Sequence, residues 1–152
     1  MQIRSVIKED LEDLKRVLDT TELFPAEMLE DMISDYFNNL DTQHIWFTVE
    51  MDGQAQALGY CAPEMMTEGT YNLYAIGVHK PLQGQGLGRK MMAYLEDALK
   101  SKGQRLLLVE TSGLDEFALT REFYHKCGYT QEARIRDFYE EGDDKIVFWK
   151  KL

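Results

Sequence analysis

Apolar residues recur along this chain at two different spacings, and each spacing predicts a different kind of element. Where they recur every three or four residues they predict an amphipathic helix, and where they alternate they predict a half-buried strand. The predicted helices cover Glu9–Thr21, a segment from Pro25 to Leu40, Leu87–Lys102 and Asp115–Cys127. The predicted strands cover Gln2–Ile7, Ile45–Glu50, Ala55–Ala62, Thr70–Val78, Leu106–Val109, Tyr129–Phe138 and Lys145–Lys151.

The order of these elements, β-α-α-β-β-β-α-β-α-β-β, predicts the fold class. The pair Asp52-Gly53 is a strong hairpin signal, so the strands before the third helix are expected to be antiparallel. The continuous apolar run Leu106–Val109 is typical of a strand buried on both faces in a parallel pairing. Antiparallel strands followed by one β-α-β crossover predict an α+β fold with a mixed α/β sheet. Because the chain has 152 residues and neither a linker nor a repeat, residues 1–152 are predicted to form a single domain.

Charge and composition narrow the classes of partner. The chain carries 17 basic and 27 acidic residues, a net charge of −10, which disfavours nucleic acid and anionic membranes and mildly favours cationic amines. No apolar run approaches the roughly 18 residues of a membrane span, and no secretory signal is recognised after Met1. Cys61 and Cys127 make a poor disulfide framework, so we expect a cytoplasmic protein with both thiols reduced.

The segment Gln83–Arg89, here called the glycine turn, follows a predicted strand and opens directly into a predicted helix. Three of its residues, Gly84, Gly86 and Gly88, lack a Cβ atom that would keep a ligand's phosphates away from the backbone. The first N–H groups of a helix have no intrahelical partner and point outward at a bound anion. The glycine turn therefore predicts a pyrophosphate cradle.

Two common phosphate-binding motifs do not fit the spacing of these glycines. A Rossmann site needs Gly-x-Gly-x-x-Gly early in a βαβ unit, whereas the spacing here is Gly84-x-Gly86-x-Gly88 and the preceding strands are predicted to be antiparallel. A P-loop needs Gly-Lys-Ser/Thr, whereas Gly88 is followed by Arg89 and Lys90. Neither a nicotinamide dinucleotide nor a nucleoside triphosphate is therefore predicted as the ligand.

The pattern Gln83-x-x-Gly86-x-Gly88 resembles the Gln/Arg-x-x-Gly-x-Gly/Ala acetyl-CoA motif of the GNAT N-acetyltransferase superfamily. A second motif, which runs from Phe123 to Tyr129, is similar to the superfamily's Phe/Leu-Tyr-x-x-x-Gly-Phe/Tyr signature. The resemblance covers essentially the whole chain, and within the superfamily it is to small single-domain bacterial acetyltransferases of unassigned substrate. It implies the GNAT-like acyl-CoA N-acyltransferase fold and acetyl-CoA-dependent N-acetylation by direct attack in a ternary complex.

The resemblance also implies which residues bind acetyl-CoA. Backbone N–H groups of the glycine turn would hold the pyrophosphate, with added positive charge from Arg89. In the superfamily, a bulge splays the strand that matches Thr70–Val78 from the next strand and frees backbone N–H groups for the acetyl oxygen and pantetheine. Thr111–Gly113 occupies the region where many members carry an asparagine that helps to hold pantetheine. The implied cofactor contacts are Ile76, Gly77, Val78, Gln83, Gly84, Gln85, Gly86, Leu87, Gly88, Arg89, Ser112, Arg121 and Tyr124.

Acetyl transfer to an amine also needs a proton donor and a proton acceptor. Tyr124 matches the superfamily's general-acid tyrosine, and a phenol is protonated at neutral pH because its ordinary pKa is about 10. Glu110, at the end of a predicted buried strand, is the first choice of base, with Glu68 and the region of Asp137 and Asp143 as rivals. The predicted acceptor-pocket residues are Asn72, Tyr74 and Glu68. The three histidines show no metal-ligand spacing, so no metal is expected.

Other interpretations stay open at this stage. Tyr124 could be a packed core aromatic with a satisfied hydroxyl, and Glu110 could be a solvated or structural charge. The chain could also be a non-catalytic acyl-CoA-binding sensor or regulatory module, or it could transfer an acyl group other than acetyl. The predicted partner is an amine of a small molecule or a peptide. The last predicted hairpin supplies an edge strand through which a homodimer could form.

Overall fold

A computed structural model describes all residues from 1 to 152. Its α-helices are α1 (Leu11–Thr20), α2 (Leu29–Asn38), α3 (Leu87–Ser101) and α4 (Ala118–Lys126). Its strands are β1 (Gln2–Ser5), β2 (Ile45–Met51), β3 (Gln54–Ala55), β4 (Ala57–Pro63), β5 (Thr70–Val78), β6 (Leu106–Ser112), β7 (Thr130–Glu140) and β8 (Asp143–Lys151). Single 3₁₀ turns cover Lys8–Asp10, Ala26–Met28, Lys80–Leu82 and Asp115–Phe117.

The element order agrees with the predicted one except for one added strand and later helix starts. The helices expected from Glu9, Pro25 and Asp115 each begin with a 3₁₀ turn, so the α-helical part of each starts a few residues later. Such turns are frequent at helix N-termini, where the first N–H groups have no partner four residues earlier. None of the helices combines the length and the apolar composition that crossing a bilayer requires.

A one-residue shift in register explains the added strand, because it divides the strand expected over Ala55–Ala62 into β3 and β4. Glu50 of β2 pairs with Ala55 of β3, whereas Phe47 of β2 pairs with Gly59 of β4. These two pairs are three residues apart along β2 and four residues apart along β3 and β4. The segment opposite β2 therefore accommodates one extra residue. That is the pairing of a β-bulge, which a hairpin signal in the sequence does not predict.

The chain folds as two compact units. The first unit comprises Met1–Ala62 and Tyr74–Leu95, and the second comprises Pro63–Leu73 and Glu96–Leu152. Within the first unit the hydrogen-bonded strand order is β1-β2-β4-β5, with β3 paired to β2. Within the second unit the order is β5-β6-β8-β7. The strand β5 and the helix α3 each contribute residues to both units.

The core of the first unit is built from the apolar faces of α1 and α2. Leu14 and Leu18 lie on one face of α1, and Leu29 and Ile33 lie on one face of α2, each three or four residues apart. All four are buried and pack in one cluster with Trp46 of β2. Because burying one such side chain contributes about 1.5–3 kcal/mol, packing of these faces fixes where the two short helices lie.

The second unit contains the parallel strand pair that the apolar run predicted. Thr70–Leu73 of β5 pairs with Leu106–Val109 of β6 in parallel, which confirms the crossover around α3. β6 then continues to Ser112 beside β8 in antiparallel pairing, so it is longer than its apolar run. One parallel pair among antiparallel pairs makes a mixed sheet, and the predicted α+β class is confirmed.

The last hairpin ends in the edge strand β7. All residues of Thr130–Glu140 are exposed, among them the apolar side chains of Ile135, Phe138 and Tyr139. Its register with β8 shifts twice, and Asp137 adopts a positive φ of 53°. Bulges of this kind twist an edge strand and limit its pairing with other chains, and the predicted homodimer stays a prediction.

Candidate active site

The glycine turn has the backbone that an anion cradle requires. Gly84 and Gly86 have φ values of +80° and +83°, a conformation that favours glycine because a Cβ would crowd the backbone. A Cβ added at either position would meet no atom within 4 Å, so both residues face open space. The glycines are therefore explained by backbone conformation and by room for a ligand, and not by packing against the protein.

The backbone donors of this segment are available to a ligand. Lys90 N–H donates to the Gly86 carbonyl at 3.2 Å, and this is the first backbone bond of α3. The N–H groups of residues 84–88 donate to no backbone carbonyl. Leu87 buries its side chain, which leaves its N–H as its contribution to a site. Open N–H groups at the positive end of a helix fit a pyrophosphate, so these residues suit the cofactor that the resemblance implies.

The end of β5 is tied to the glycine turn by a side chain. Gln83 Nε2 donates to the Val78 carbonyl at 3.0 Å, so the glutamine of the motif fixes the strand end next to the turn. Ile76, Gly77 and Val78 lie beyond the last pair, Leu73 with Val109, of the parallel register. A Cβ on Gly77 would lie 2.7 Å from Leu23 Cδ1, so a close side-chain approach explains this glycine.

Tyr74, the predicted acceptor residue on β5, lies at one end of a row of aromatic side chains. Tyr74 is half exposed, and its ring centroid lies 5.6 Å from that of Tyr60. Tyr60 stacks on Trp46 at 4.1 Å between centroids, and its hydroxyl lies 3.0 Å from His44 Nδ1. Burial raises the pKa of Tyr60, and the charges of Cys61 and Asp35 raise it further. The half-exposed ring of Tyr74 offers an aromatic face to a cationic group.

Tyr124 lies on α4 in a packed aromatic environment. Its ring centroid is 5.3 Å from that of Phe123, 5.5 Å from Phe148 and 6.1 Å from Tyr129. Its hydroxyl makes no hydrogen bond within the chain and is not fully buried. Burial raises the pKa of Tyr124 above its usual value, so the phenol keeps its proton and can donate it.

The second unit brings two predicted residues together with one that the sequence reasoning missed. Asn72 Nδ2 donates to Glu64 Oε1 at 2.8 Å and to Glu110 Oε2 at 2.9 Å. We call Glu64, Asn72 and Glu110 the carboxylate cluster. Lys145 Nζ lies 3.4 Å from Glu110 Oε1 and 3.8 Å from the centroid of the Phe138 ring. Glu110 is thus held by an amide on one oxygen and by an ammonium on the other.

The strand registers explain why these side chains meet. Asn72 pairs with Leu108 in the parallel register, and Glu110 lies two residues further along, so it projects on the same face. Glu64 N–H donates to the Thr70 carbonyl at 2.8 Å, which closes the turn and places Glu64 on the Asn72 face as well. Pairing the strands on either side of the turn at 65–69 would have predicted that Glu64 lies on the same face as Asn72. The sequence reasoning chose Glu68 instead, which is exposed and whose side chain makes no hydrogen bond.

Two predicted cofactor residues have internal partners. Arg121 Nη1 donates to the carbonyls of Ser112 and Leu114 at 2.7 and 2.8 Å, which ties α4 to the end of β6. The Ser112 hydroxyl is hydrogen-bonded to Asp143 and accepts the Leu114 N–H at 3.1 Å. These contacts give both residues a structural role, and their contact with a cofactor stays a prediction.

A family model described as the acetyltransferase (GNAT) family matches residues 7–129. The chain therefore belongs to the GNAT family of acetyltransferases. This confirms the family resemblance drawn from the two motifs and defines the chain as an acetyltransferase.

Relatives and solved structures agree with this family. An uncharacterized N-acetyltransferase of Methanocaldococcus jannaschii is 27% identical over 157 residues, which cover 99% of this chain and 92% of that protein. A crystal structure from Desulfovibrio desulfuricans, described as an acetyltransferase of the GNAT family, is 31% identical with a TM-score of 0.92 and covers 99% of this chain and 98% of that one. A Salmonella typhimurium structure, described as an acetyltransferase with its cofactor acetyl-CoA, has 18% identity and a TM-score of 0.78, and covers 100% of this chain and 94% of that one. At that identity the last likeness shows the fold alone.

Proposed function

We propose that this chain is an acetyl-CoA-dependent N-acetyltransferase that acetylates a primary amine of a small molecule or a peptide, with residues 1–152 as one catalytic domain. The observation that carries the proposal is the glycine turn. Gly84 and Gly86 hold positive φ values with open space around them, directly before a helix whose first N–H groups are open. An anion with two adjacent phosphates matches such a row of donors better than a lone carboxylate does.

On the donor side, the chain's own residues bind and orient. The N–H groups of Gly84–Gly88 would hold the pyrophosphate, and Arg89 would add positive charge. Gln83 keeps the Val78 carbonyl in place, so the end of β5 stays in a fixed position relative to the turn. When bound, acetyl-CoA supplies a thioester whose carbonyl carbon is attacked by the amine, with loss of the CoA thiolate.

Tyr124 and Glu110 would move the protons. A carboxylate oxygen of Glu110 accepts one proton from the substrate ammonium, which frees the nitrogen lone pair for attack. The Tyr124 hydroxyl donates its proton to the departing sulfur and recovers one from the nitrogen as the amide forms. One proton therefore leaves for solvent from Glu110 in each turnover.

Direct attack in a ternary complex is favoured over an acetyl intermediate on Cys61. Burial raises the pKa of the Cys61 thiol far above its usual value. A thiol in this state is rarely ionised and is a poor nucleophile. Proton transfer by Tyr124 and Glu110 needs no covalent intermediate on the protein.

The competing function is a non-catalytic acyl-CoA-binding sensor, which would keep the glycine turn and lack transfer. One experiment separates the two: release of CoA thiol from acetyl-CoA by the full chain over a panel of aliphatic, aromatic and peptide amines. Binding of acetyl-CoA is measured by calorimetry in the same buffer. We expect binding together with thiol release that depends on at least one amine.

Two results would contradict the proposal in different ways. Tight binding without thiol release across the panel would favour the sensor. No binding of acetyl-CoA at all would remove the interpretation of the glycine turn. Repeating the assay with propionyl-CoA and butyryl-CoA tests whether an acyl group other than acetyl is transferred.

A further inference from the structure

The carboxylate cluster has a polar atom that nothing in the protein satisfies. Asn72 is 1% exposed, and its Oδ1 is buried without a hydrogen-bond partner. The amide cannot simply be turned over, because Oδ1 would then face the carboxylates of Glu64 and Glu110, which are acceptors. A buried acceptor left unpaired costs about 1–3 kcal/mol, so its presence next to two carboxylates needs an explanation.

The geometry of the cluster limits what could bind there. Oxygens of Glu64 and Glu110 lie 2.8 and 2.9 Å from the same nitrogen, so the two carboxylates are neighbours. Together with Asn72 Oδ1 they offer acceptors only. The matching ligand has several N–H donors, no acceptor and a positive charge, which describes a protonated primary amine. Lys145 already occupies the other oxygen of Glu110 and shows that this carboxylate accepts an ammonium.

We propose that Glu64 binds the ammonium form of the acceptor together with Asn72 and Glu110, so that the substrate class is aliphatic primary amines that are protonated at neutral pH. The proposal rests on the proposed N-acetyltransferase function and deepens it. Weakly basic aryl amines and alcohols carry no charge at neutral pH and would be rejected, because they would bring no positive charge to a site lined by two carboxylates.

The three residues have different tasks. Glu110 takes the proton, as proposed above, and becomes neutral. Glu64 keeps the amine in place while the amine gives up its proton. Asn72 is a positioning residue, because its single nitrogen holds both carboxylates on one face of the sheet.

Binding can be tested without turnover by NMR. We would titrate ¹⁵N-labelled full chain with n-butylammonium chloride at constant ionic strength and follow the side-chain amide signals of Asn72. The variants are Glu64→Gln, which keeps an acceptor for the Asn72 N–H, and Glu132→Gln as a matched control. Glu132 lies on the exposed strand β7, so its change removes the same charge away from the cluster. Butanol serves as the uncharged probe.

We expect the ammonium to shift the Asn72 signals in the wild type and in Glu132→Gln, and butanol to leave them unchanged. Glu64→Gln should weaken binding at least about fivefold, the loss of roughly 1 kcal/mol for one partly exposed ion pair. Equal affinity in Glu64→Gln, or no shift in the wild type, would overturn the proposal. A response to Mg²⁺ but not to butylammonium would overturn it as well, since the cluster would then be a metal site.

Kinetics with an amine identified in the thiol-release panel supply the second arm. Glu64→Gln should raise KM for the amine at least about fivefold while KM for acetyl-CoA stays within about twofold. Thermal unfolding of Glu64→Gln and Glu132→Gln shows whether either variant is misfolded.

If butylammonium binds at Asn72 but no amine releases thiol, the cation site stands and the transferase function fails. If amines release thiol but Glu64→Gln changes neither affinity nor KM, the function stands and the cation site fails.

Discussion

The glycine turn and the carboxylate cluster are built in opposite ways. The glycine turn, Gln83–Arg89, is a run of consecutive residues whose proposed function depends on backbone N–H groups and on missing Cβ atoms. The carboxylate cluster takes one side chain each from β5, β6 and the turn after β4, and it exists only because the strand registers align them. A site made of backbone is encoded locally, whereas a site made of side chains is encoded by pairing.

The largest expected effect concerns the side-chain chemistry and is the loss of turnover in Tyr124→Phe. Removing the hydroxyl should lower kcat about 100-fold, the low end for a general acid, and leave acetyl-CoA affinity unchanged. The phenyl ring keeps its contacts with Phe123, Tyr129 and Phe148, so the fold should persist. Since burial raises the pKa of Tyr124, its proton is lost only above the usual range, and kcat should show no fall from this residue below about pH 10.

The control for this variant is Tyr129→Phe. It removes the hydrogen bond of 2.7 Å from the Tyr129 hydroxyl to Glu96, which should lower stability by about 1 kcal/mol without lowering kcat. Stopped assays of thiol release together with thermal unfolding measure both quantities. Unchanged turnover in Tyr124→Phe would mean that the tyrosine is only a packed aromatic.

The next largest effect tests the backbone site with Gly86→Ala. Its φ of +83° strains any other residue, and the new methyl group would project into the open space where phosphates are expected. Acetyl-CoA affinity should fall about tenfold, equivalent to about 1.4 kcal/mol, as measured by calorimetry. Gly53→Ala is the matched control, because Gly53 has a φ of +78° and also has no atom within 4 Å of an added Cβ.

Both glycine variants should lose similar stability, about 1–2 kcal/mol each, from the same backbone strain. Only Gly86→Ala should lose affinity for acetyl-CoA. Equal affinity in the two variants would show that the turn does not contact the cofactor. The glycine turn would then not be a backbone binding site.

The same contrast explains how much the sequence could predict. The order of elements, the parallel pair and the glycine turn follow from patterns within single segments, and the structure contains each of them. Glu64 was missed because its place depends on the register of the turn at 65–69, which the alternation of β4 and β5 does not set by itself. The division of β3 from β4 was missed for the same reason, since a bulge changes register without changing the apolar pattern.

A smaller effect on acetyl-CoA affinity is expected for Gln83→Ala, because this side chain only supports the glycine turn. The variant loses the hydrogen bond from Gln83 Nε2 to the Val78 carbonyl, a bond worth about 1 kcal/mol. If the bond positions the end of β5 for the cofactor, acetyl-CoA affinity should fall about fivefold. Gln104→Ala removes a longer, exposed bond of 3.5 Å from Nε2 to the Lys102 carbonyl, away from the turn, and should leave affinity unchanged. A fall in both variants would point to a general loss of stability.

The smallest effect concerns Gly77, the glycine near the end of β5, which is explained by the close approach of the Leu23 side chain. In Gly77→Ala the new Cβ would lie 2.7 Å from Leu23 Cδ1, the tip of a flexible side chain that is partly exposed and can move. We therefore expect a loss of about 1 kcal/mol in the free energy of unfolding and less than a twofold change in acetyl-CoA affinity. Adding Leu23→Ala should remove the clash and recover most of the stability lost through Gly77→Ala, as a double-mutant cycle would measure. A tenfold loss of affinity that Leu23→Ala does not recover would mean that β5 itself cannot accept a Cβ at this position, so that Gly77 belongs with Gly86 to the backbone site.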